Sequence, residues 1–533
     1  MKKSLLAVML TGLFALVSLP ALGNVNLEQL KQKAESGEAK AQLELGYRYF
    51  QGNETTKDLT QAMDWFRRAA EQGYTPAEYV LGLRYMNGEG VPQDYAQAVI
   101  WYKKAALKGL PQAQQNLGVM YHEGNGVKVD KAESVKWFRL AAEQGRDSGQ
   151  QSMGDAYFEG DGVTRDYVMA REWYSKAAEQ GNVWSCNQLG YMYSRGLGVE
   201  RNDAISAQWY RKSATSGDEL GQLHLADMYY FGIGVTQDYT QSRVLFSQSA
   251  EQGNSIAQFR LGYILEQGLA GAKEPLKALE WYRKSAEQGN SDGQYYLAHL
   301  YDKGAEGVAK NREQAISWYT KSAEQGDATA QANLGAIYFR LGSEEEHKKA
   351  VEWFRKAAAK GEKAAQFNLG NALLQGKGVK KDEQQAAIWM RKAAEQGLSA
   401  AQVQLGEIYY YGLGVERDYV QAWAWFDTAS TNDMNLFGTE NRNITEKKLT
   451  AKQLQQAELL SQQYIEKYAP EAWARMQKLK AQSAVKTGKI RSALIQLNQC
   501  HLRVALFFCE TTRILFCNFL AFCFSFRAAF HIR

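Results

Sequence analysis

A single glycine keeps time along most of this 533-residue chain. It closes a phrase resembling Ala-Glu-Gln-Gly and recurs at Gly37, Gly73, Gly109, Gly145, Gly181, Gly217, Gly253, Gly289, Gly326, Gly361 and Gly397. The intervals are 36 residues seven times, then 37, 35 and 36. A period of that length marks one supersecondary unit copied in series. A single unit cannot bury its own apolar face, so the units must stack.

Three further signals travel with the glycine. An apolar residue followed by a small one recurs as Leu45-Gly46, Leu81-Gly82, Leu117-Gly118, Met153-Gly154, Leu189-Gly190 and Leu225-Ala226, and continues to Leu405-Gly406. A Gly-x-Gly-Val phrase follows, as in Gly88-Glu89-Gly90-Val91 and Gly412-Leu413-Gly414-Val415. An aromatic pair comes last, from Trp65-Phe66 and Trp101-Tyr102 to Trp353-Phe354.

Each unit reads as two antiparallel helices. Within residues 74–109, Ala77, Leu81 and Tyr85 fall at i, i+4 and i+8 and predict a helix from about Pro76 to Met86. Gly82 weakens that helix, and its return is the close approach of a neighbour. Gly88 and Gly90 break the chain, because glycine tolerates positive φ. Asp94 is placed to cap the second helix, as are Asp58, Asp130, Asp166, Asn202, Asp238, Asn311, Asp382 and Asp418. Ala98, Trp101, Tyr102 and Ala105 share one face of that helix, so the tryptophans are expected as inter-helix core. The stack is expected to wind as a right-handed superhelix. Units six, seven and nine depart at Leu245-Phe246, Gly268-Leu269-Ala270-Gly271 and Arg340-Leu341-Gly342-Ser343-Glu344, where the pitch should kink.

In order, Ala-x-x-x-Leu-Gly-x-x-Tyr, Gly-x-Gly-Val, Asp-x-x-x-Ala-x-x-Trp-Tyr-Arg-Lys-Ala-Ala and Ala-Glu-Gln-Gly resemble the Sel1-like repeat family, relatives of tetratricopeptide repeats with a longer turn. The resemblance implies an all-α fold: an α/α superhelical solenoid of about eleven helix-turn-helix repeats across residues 38–433. Residues 24–37 are expected as an N-terminal capping helix. Residues 434–486 are expected as a C-terminal helical cap, with helices at Leu449–Leu460 and Glu471–Leu479.

The two ends carry formal charges of +2 and +5, more than the whole chain's net +5. Lys2 and Lys3 precede an apolar stretch from Leu5 to Leu19, and Ala21-Leu22-Gly23 offers small residues at a cleavage site. Residues 1–23 therefore read as a secretory signal peptide, and the mature chain is expected in the periplasm, at the cell surface or secreted. Residues 487–533 hold six cations against Glu510 alone, together with Cys500, Cys509, Cys517 and Cys523. Their longest uncharged run, Ile514 to Phe526, is short of the roughly 20 residues of a spanning helix. A frameshifted or read-through segment, a membrane-associated end and a docking segment are the three readings of this tail. The body between the ends is about −2, which gives a phosphate backbone no overall attraction and argues against nucleic acid as a partner.

Catalytic constellations are missing from the sequence. Gly-x-Gly-Val follows a helix, recurs and lacks the later lysine of a phosphate loop. His122-Glu123 has no second histidine at zinc-protease spacing. Ser483-Ala484-Val485-Lys486 and Lys486-Thr487-Gly488 look like β-lactamase motifs but overlap, whereas that chemistry needs separate elements. Asp161 or Asp166 with turn carbonyls could hold a cation, against the simpler reading of solvated loop and helix cap. Cys186 stands where other units place glutamine (Gln114, Gln222, Gln258) and reads as a buried thiol. No enzyme activity, cofactor or metal is expected.

A partner would meet positions that vary between units. One, four and five residues after the small residue, the central units read Asp155, Phe158 and Glu159, then Tyr191, Ser194 and Arg195, then Asp227, Tyr230 and Phe231. Aromatics and arginine carry most interface energy. With Trp184, which is off the aromatic register, Asp155, Phe158, Glu159, Tyr191, Arg195, Asp227, Tyr230 and Phe231 form the expected partner-binding patch. The opening phrases and eleven-unit length further resemble a secreted family member of pathogenic enteric bacteria. That resemblance implies host secretory immunoglobulin A as the partner of a monomeric scaffold that dampens immune-cell activation. A periplasmic adaptor assembling bacterial complexes is the alternative.

Overall fold

The computed structural model describes residues 26–482. The expected signal peptide (1–23) and the tail (487–533) lie outside the described residues. Every named element is an α-helix, and within each of the two bodies described next successive helices pack on their neighbours in sequence, as an α/α solenoid requires. The chain divides after Asn311 into two compact bodies. The first runs from the helix Leu27–Glu35 through seven helix pairs to Ser291–Lys303. The second begins with Arg312–Glu324, continues through three pairs, and ends with Leu436–Glu446, Ala451–Tyr468 and a helical segment at 470–482. Repeats are numbered along the sequence, two successive helices to each, from repeat 1 (Ala39–Gln51 and Leu59–Glu71) to repeat 11 (Ser399–Tyr411 and Tyr419–Asp433).

Repeat 2 shows why the sequence folds this way. Its first helix is Thr75–Asn87 and ends at Gly88, which is left-handed at φ 73°. Its second helix is Tyr95–Leu107, and the Asp94 carboxylate accepts from the Gln97 amide at 3.0 Å. The same cap is made by Asp58, Asp130, Asp166, Asn202, Asp238, Asp382 and Asp418. Gly82 faces the Tyr102 ring so closely that a Cβ would lie 2.5 Å from it. The second turn glycine makes a different contact. Gly126 of repeat 3 seats on the first residue of the preceding repeat's second helix, where a Cβ would stand 2.3 Å from the Tyr95 carbonyl. One glycine thus closes a helix pair and another locks consecutive repeats.

Burial differs from the expectation for the tryptophans. The second ring of each pair is the core: Phe66, Tyr102, Tyr174, Tyr282, Tyr319 and Phe354 are fully buried. Trp101 and Trp137 are also buried, but Trp65, Trp173, Trp209, Trp281, Trp318, Trp353 and Trp389 are half-buried. A cation three residues on lies over most of those indoles, as with Lys104 on Trp101 at 3.8 Å and Lys321 on Trp318 at 3.7 Å. The i, i+3 spacing of one helix face puts the ammonium there. In the last repeat Trp425 is buried instead, because Tyr464 of Ala451–Tyr468 stacks on it at 4.3 Å.

A ladder of buried glutamines runs through both bodies. Gln114 donates to the Ala106 carbonyl at 3.2 Å and accepts from Gln144 at 2.7 Å. It joins the preceding repeat's second helix to both helices of its own repeat. Gln42, Gln150, Gln258, Gln366 and Gln402 donate to carbonyls in the same way. Such side chains satisfy helix-end carbonyls that the helix itself cannot.

The irregular repeats adapt locally. In repeat 6, Phe246 takes the place of the buried tyrosine. In repeat 7, Glu274 replaces the capping aspartate and pairs with Arg243 at 2.7 Å. In repeat 9, the first helix extends to Leu341 and Ser343 opens the second with a capping box to Glu346.

Candidate protein-binding surface

The first helix of each repeat buries its Leu-Gly face and leaves a second stripe turned away from the core. In repeats 3–8 that stripe carries Asn116, Asp155, Gln188, Tyr191, His224, Asp227, Arg260, Tyr263, Tyr296 and His299, all half-buried or exposed. The expected patch lies on it, within the first body, and its members play unlike parts.

Asp155 and Trp184 are tied to each other. The Asp155 carboxylate accepts from the Trp184 indole at 3.1 Å and from the Tyr174 hydroxyl at 2.6 Å. Burial pushes the Asp155 carboxyl above the usual range, against the pull of these donors. Burial and the neighbouring Asp155 charge push Tyr174 up as well. Phe158 packs against Tyr167, Tyr174 and Tyr191, with centroids 5.3, 6.4 and 6.3 Å away. Asp227 lies 3.5 Å from Arg260 of the next repeat. Burial raises the Asp227 carboxyl and Arg260 opposes the rise. Tyr230 meets Phe231 edge-on at 4.7 Å.

What remains presented to solvent is a smaller set. Tyr191 is 41% exposed and Phe231 49% exposed. Glu159 and Arg195 are exposed beside them in register, and the Arg195 guanidinium lies 5.9 Å from the Tyr191 ring. The Arg260 guanidinium lies 5.6 Å from Phe231. Large apolar rings flanked by mobile charge can take part in protein contacts.

Apart from Trp184, the expected patch is drawn from positions after the small residue. Gln115, Gln151 and Asn187, three residues before it, are buried along the edge of the stripe, while Arg260 and Tyr296, two before it, are half-buried on it. The i, i+4 relation of Asn187 to Tyr191 is the signal that finds them.

Other sequence candidates are occupied differently. Asp161 pairs with His122 at 2.9 Å and Lys131 at 3.1 Å. Burial pushes its carboxyl up, but hydrogen bonds from Lys131 and His122 outweigh this and hold it below the usual range. Asp166 is a helix cap. Cys186 is buried, and burial pushes its thiol up. The Ser483–Lys486 and Lys486–Gly488 motifs lie outside the described residues. Among the described residues, no group of three or more His, Cys, Asp or Glu is placed to hold a metal ion, and no helix is long and apolar enough to cross a membrane.

The sequence matches the Sel1 repeat model in eleven consecutive segments, from 39–74, 75–110 and 111–145 to 363–398 and 399–434. Among solved structures, a Sel1 repeat protein from Oxalobacter formigenes is 31% identical. The match covers 62% of this chain and 93% of that one, at a TM-score of 0.49. A putative Sel1 repeat protein from Klebsiella pneumoniae subsp. pneumoniae is 22% identical over 38% of this chain and 98% of that one, at a TM-score of 0.26. The eleven matched segments follow the helices two by two along the sequence, and the chain belongs to the Sel1 repeat family.

Proposed function

We propose that this protein is a non-enzymatic scaffold that binds another protein through the first-helix face of its central repeats. Sel1-repeat proteins act as protein-interaction scaffolds. The observation that carries the reading to particular residues is the exposure of Tyr191 and Phe231 on that face, with Glu159 and Arg195 beside them. An exposed large ring loses most of its contact with water when a partner covers it.

The partner we favour is host secretory immunoglobulin A, on the strength of the resemblance to EsiB, the secreted Sel1-repeat protein of pathogenic enteric bacteria that binds it. In this reading a signal peptide exports the chain, the rigid stack holds the antibody, and cells that read the antibody are dampened. The test is a pull-down of host mucosal fluid on the immobilised full chain, read by mass spectrometry. Enrichment of secretory immunoglobulin A, lost in a Tyr191→Ala, Phe231→Ala double variant, is the expected result. Enrichment only of bacterial envelope proteins from a periplasmic extract would replace it with the adaptor alternative.

A further inference from the structure

The second body holds a cleft of about 440 Å³ between repeats 9 and 10. Its wall is apolar at Leu373, Val379 and Trp389 and basic at Arg355, Lys380 and Lys381. Small-molecule sites span about 300–1,000 Å³, so the size suits one. One substitution in the repeat accounts for it. Arg139, Arg211, Arg283 and Arg391 each donate to a tyrosine hydroxyl 18 residues on, in the first helix of the next repeat: Tyr157, Tyr229, Tyr301 and Tyr409. Arg355 holds that register in repeat 9, but the residue at the same spacing is Leu373. A leucine is smaller than a tyrosine and offers no acceptor, so the guanidinium is released and space opens beside it.

Most charges around the cleft already have a task. Lys356 and Lys392 lie over Trp353 and Trp389 at 4.1 and 4.3 Å. Lys381 pairs with Glu383 at 2.7 Å. The Asp382 carboxylate caps the second helix of repeat 10, accepting from the Gln385 amide at 2.9 Å. Arg355 and Lys380 are exposed and have no hydrogen-bond or ion-pair partner among the described residues. The Lys380-Lys381 step is peculiar to this turn. At the same two positions the other Gly-x-Gly-Val turns read Pro92-Gln93, Lys128-Val129, Thr164-Arg165, Glu200-Arg201, Thr236-Gln237 and Glu416-Arg417.

We propose that this cleft binds the tetrahedral oxyanion of a phosphorylated or sulfated sugar. Such a small-molecule site goes beyond the scaffold reading and does not depend on it. The terminal oxygens decide the class. The planar fork of Arg355 takes two of them and the Lys380 ammonium takes a third. A carboxylate has only two and leaves Lys380 idle. The apolar wall at Leu373, Val379 and Trp389 suits the ring that carries the ester, and the Gln385 amide, which also lines the cleft, suits its hydroxyls. Exposed cations are screened by salt, so binding weakens as ionic strength rises.

The full chain is titrated by isothermal calorimetry at low ionic strength with glucose 6-phosphate, glucose 6-sulfate, inorganic phosphate, glucuronate and glucose. At least one ester should bind with a Kd of about 1 mM or tighter, and at least about tenfold more tightly than glucuronate, inorganic phosphate or glucose. The ester with the lower Kd identifies the source of the oxyanion. Arg355→Gln should weaken that ester at least about tenfold, the loss of one charge-assisted pair. Leu373→Tyr leaves the net charge unchanged, supplies the hydroxyl that other repeats give their arginine and refills the cleft. Binding should be lost in it while the thermal midpoint holds or rises. Binding of neither ester, or equal binding of glucuronate, overturns the proposal, as does a folded Leu373→Tyr that binds like the wild type. Where Leu373→Tyr does not fold, Arg355→Gln decides, because that exposed side chain has no partner in the fold; undiminished binding there overturns the proposal.

Discussion

Lys212 donates to the carbonyl oxygen of Ala178, the helix-end acceptor that a buried glutamine takes in neighbouring repeats. Repeat 5 has Cys186 in the glutamine position and Ser216 where the glutamine's partner would be, so the ladder breaks there. The lysine fills the gap at the expense of its indole. It lies 5.5 Å from Trp209, whereas Lys176 and Lys284 lie 4.2 and 4.1 Å from Trp173 and Trp281.

Restoring the ladder should therefore release the lysine. Lys212→Met should cost about 1 kcal/mol in the wild type, the worth of one hydrogen bond. In a Cys186→Gln, Ser216→Gln background the same change should cost under about half that. A double-mutant cycle from urea unfolding measures the difference, and equal costs in both backgrounds would disprove the exchange.

Repeat 2 replaces the glutamine pair by charges. Glu78 is buried and bonds Lys108 at 2.8 Å, while its second oxygen has no partner. A carboxylate cannot donate to the Ala70 carbonyl as a glutamine does. Lys108→Met should destabilise by about 3 kcal/mol, because it strands a buried charge. Glu78→Gln with Lys108→Gln should be neutral or stabilising by thermal unfolding.

Two left-handed glycines separate strain from packing. Gly145, at φ 85°, has open space where a Cβ would go, so Gly145→Ala should cost about 1 kcal/mol from backbone strain alone. Gly126, at φ 72°, has the Tyr95 backbone 2.3 Å from that point. Gly126→Ala should cost roughly 1–3 kcal/mol more, since a carbonyl must move. Denaturation midpoints of the two variants decide this.

Asp155 predicts a pH dependence with a definite sign. Burial raises its carboxyl in the folded chain, so the folded state binds the proton more tightly than the unfolded one. Its contribution is most favourable below the unfolded value of about 3.9 and is lost as pH rises through the folded value. Asp155→Asn keeps an oxygen for Tyr174 and Trp184 and removes the titration. The stability of the variant relative to the wild type should therefore increase with pH from about 4 upward. A flat difference in unfolding free energy between pH 4 and 7 would contradict it.

The sequence alone determined the helical-repeat architecture. The 36-residue glycine, the capping aspartates and the Leu-Gly step are local signals, because caps and positive-φ turns depend on residues within a few positions. It also pointed to the stripe on which Tyr191 and Phe231 stand. Tertiary structure alone decided how the repeats lock and which polar groups are buried. Trp101 and Trp209 share one register, yet one is buried and the other half-buried, because burial depends on what neighbouring helices supply. Asp155 stands at a position that varies between repeats, which marks it as partner-facing in the sequence, yet its carboxylate is held by Trp184 and Tyr174, 29 and 19 residues away. Hydrogen-bond pairing between repeats is a property of packed distances, and a one-dimensional pattern carries no such distance.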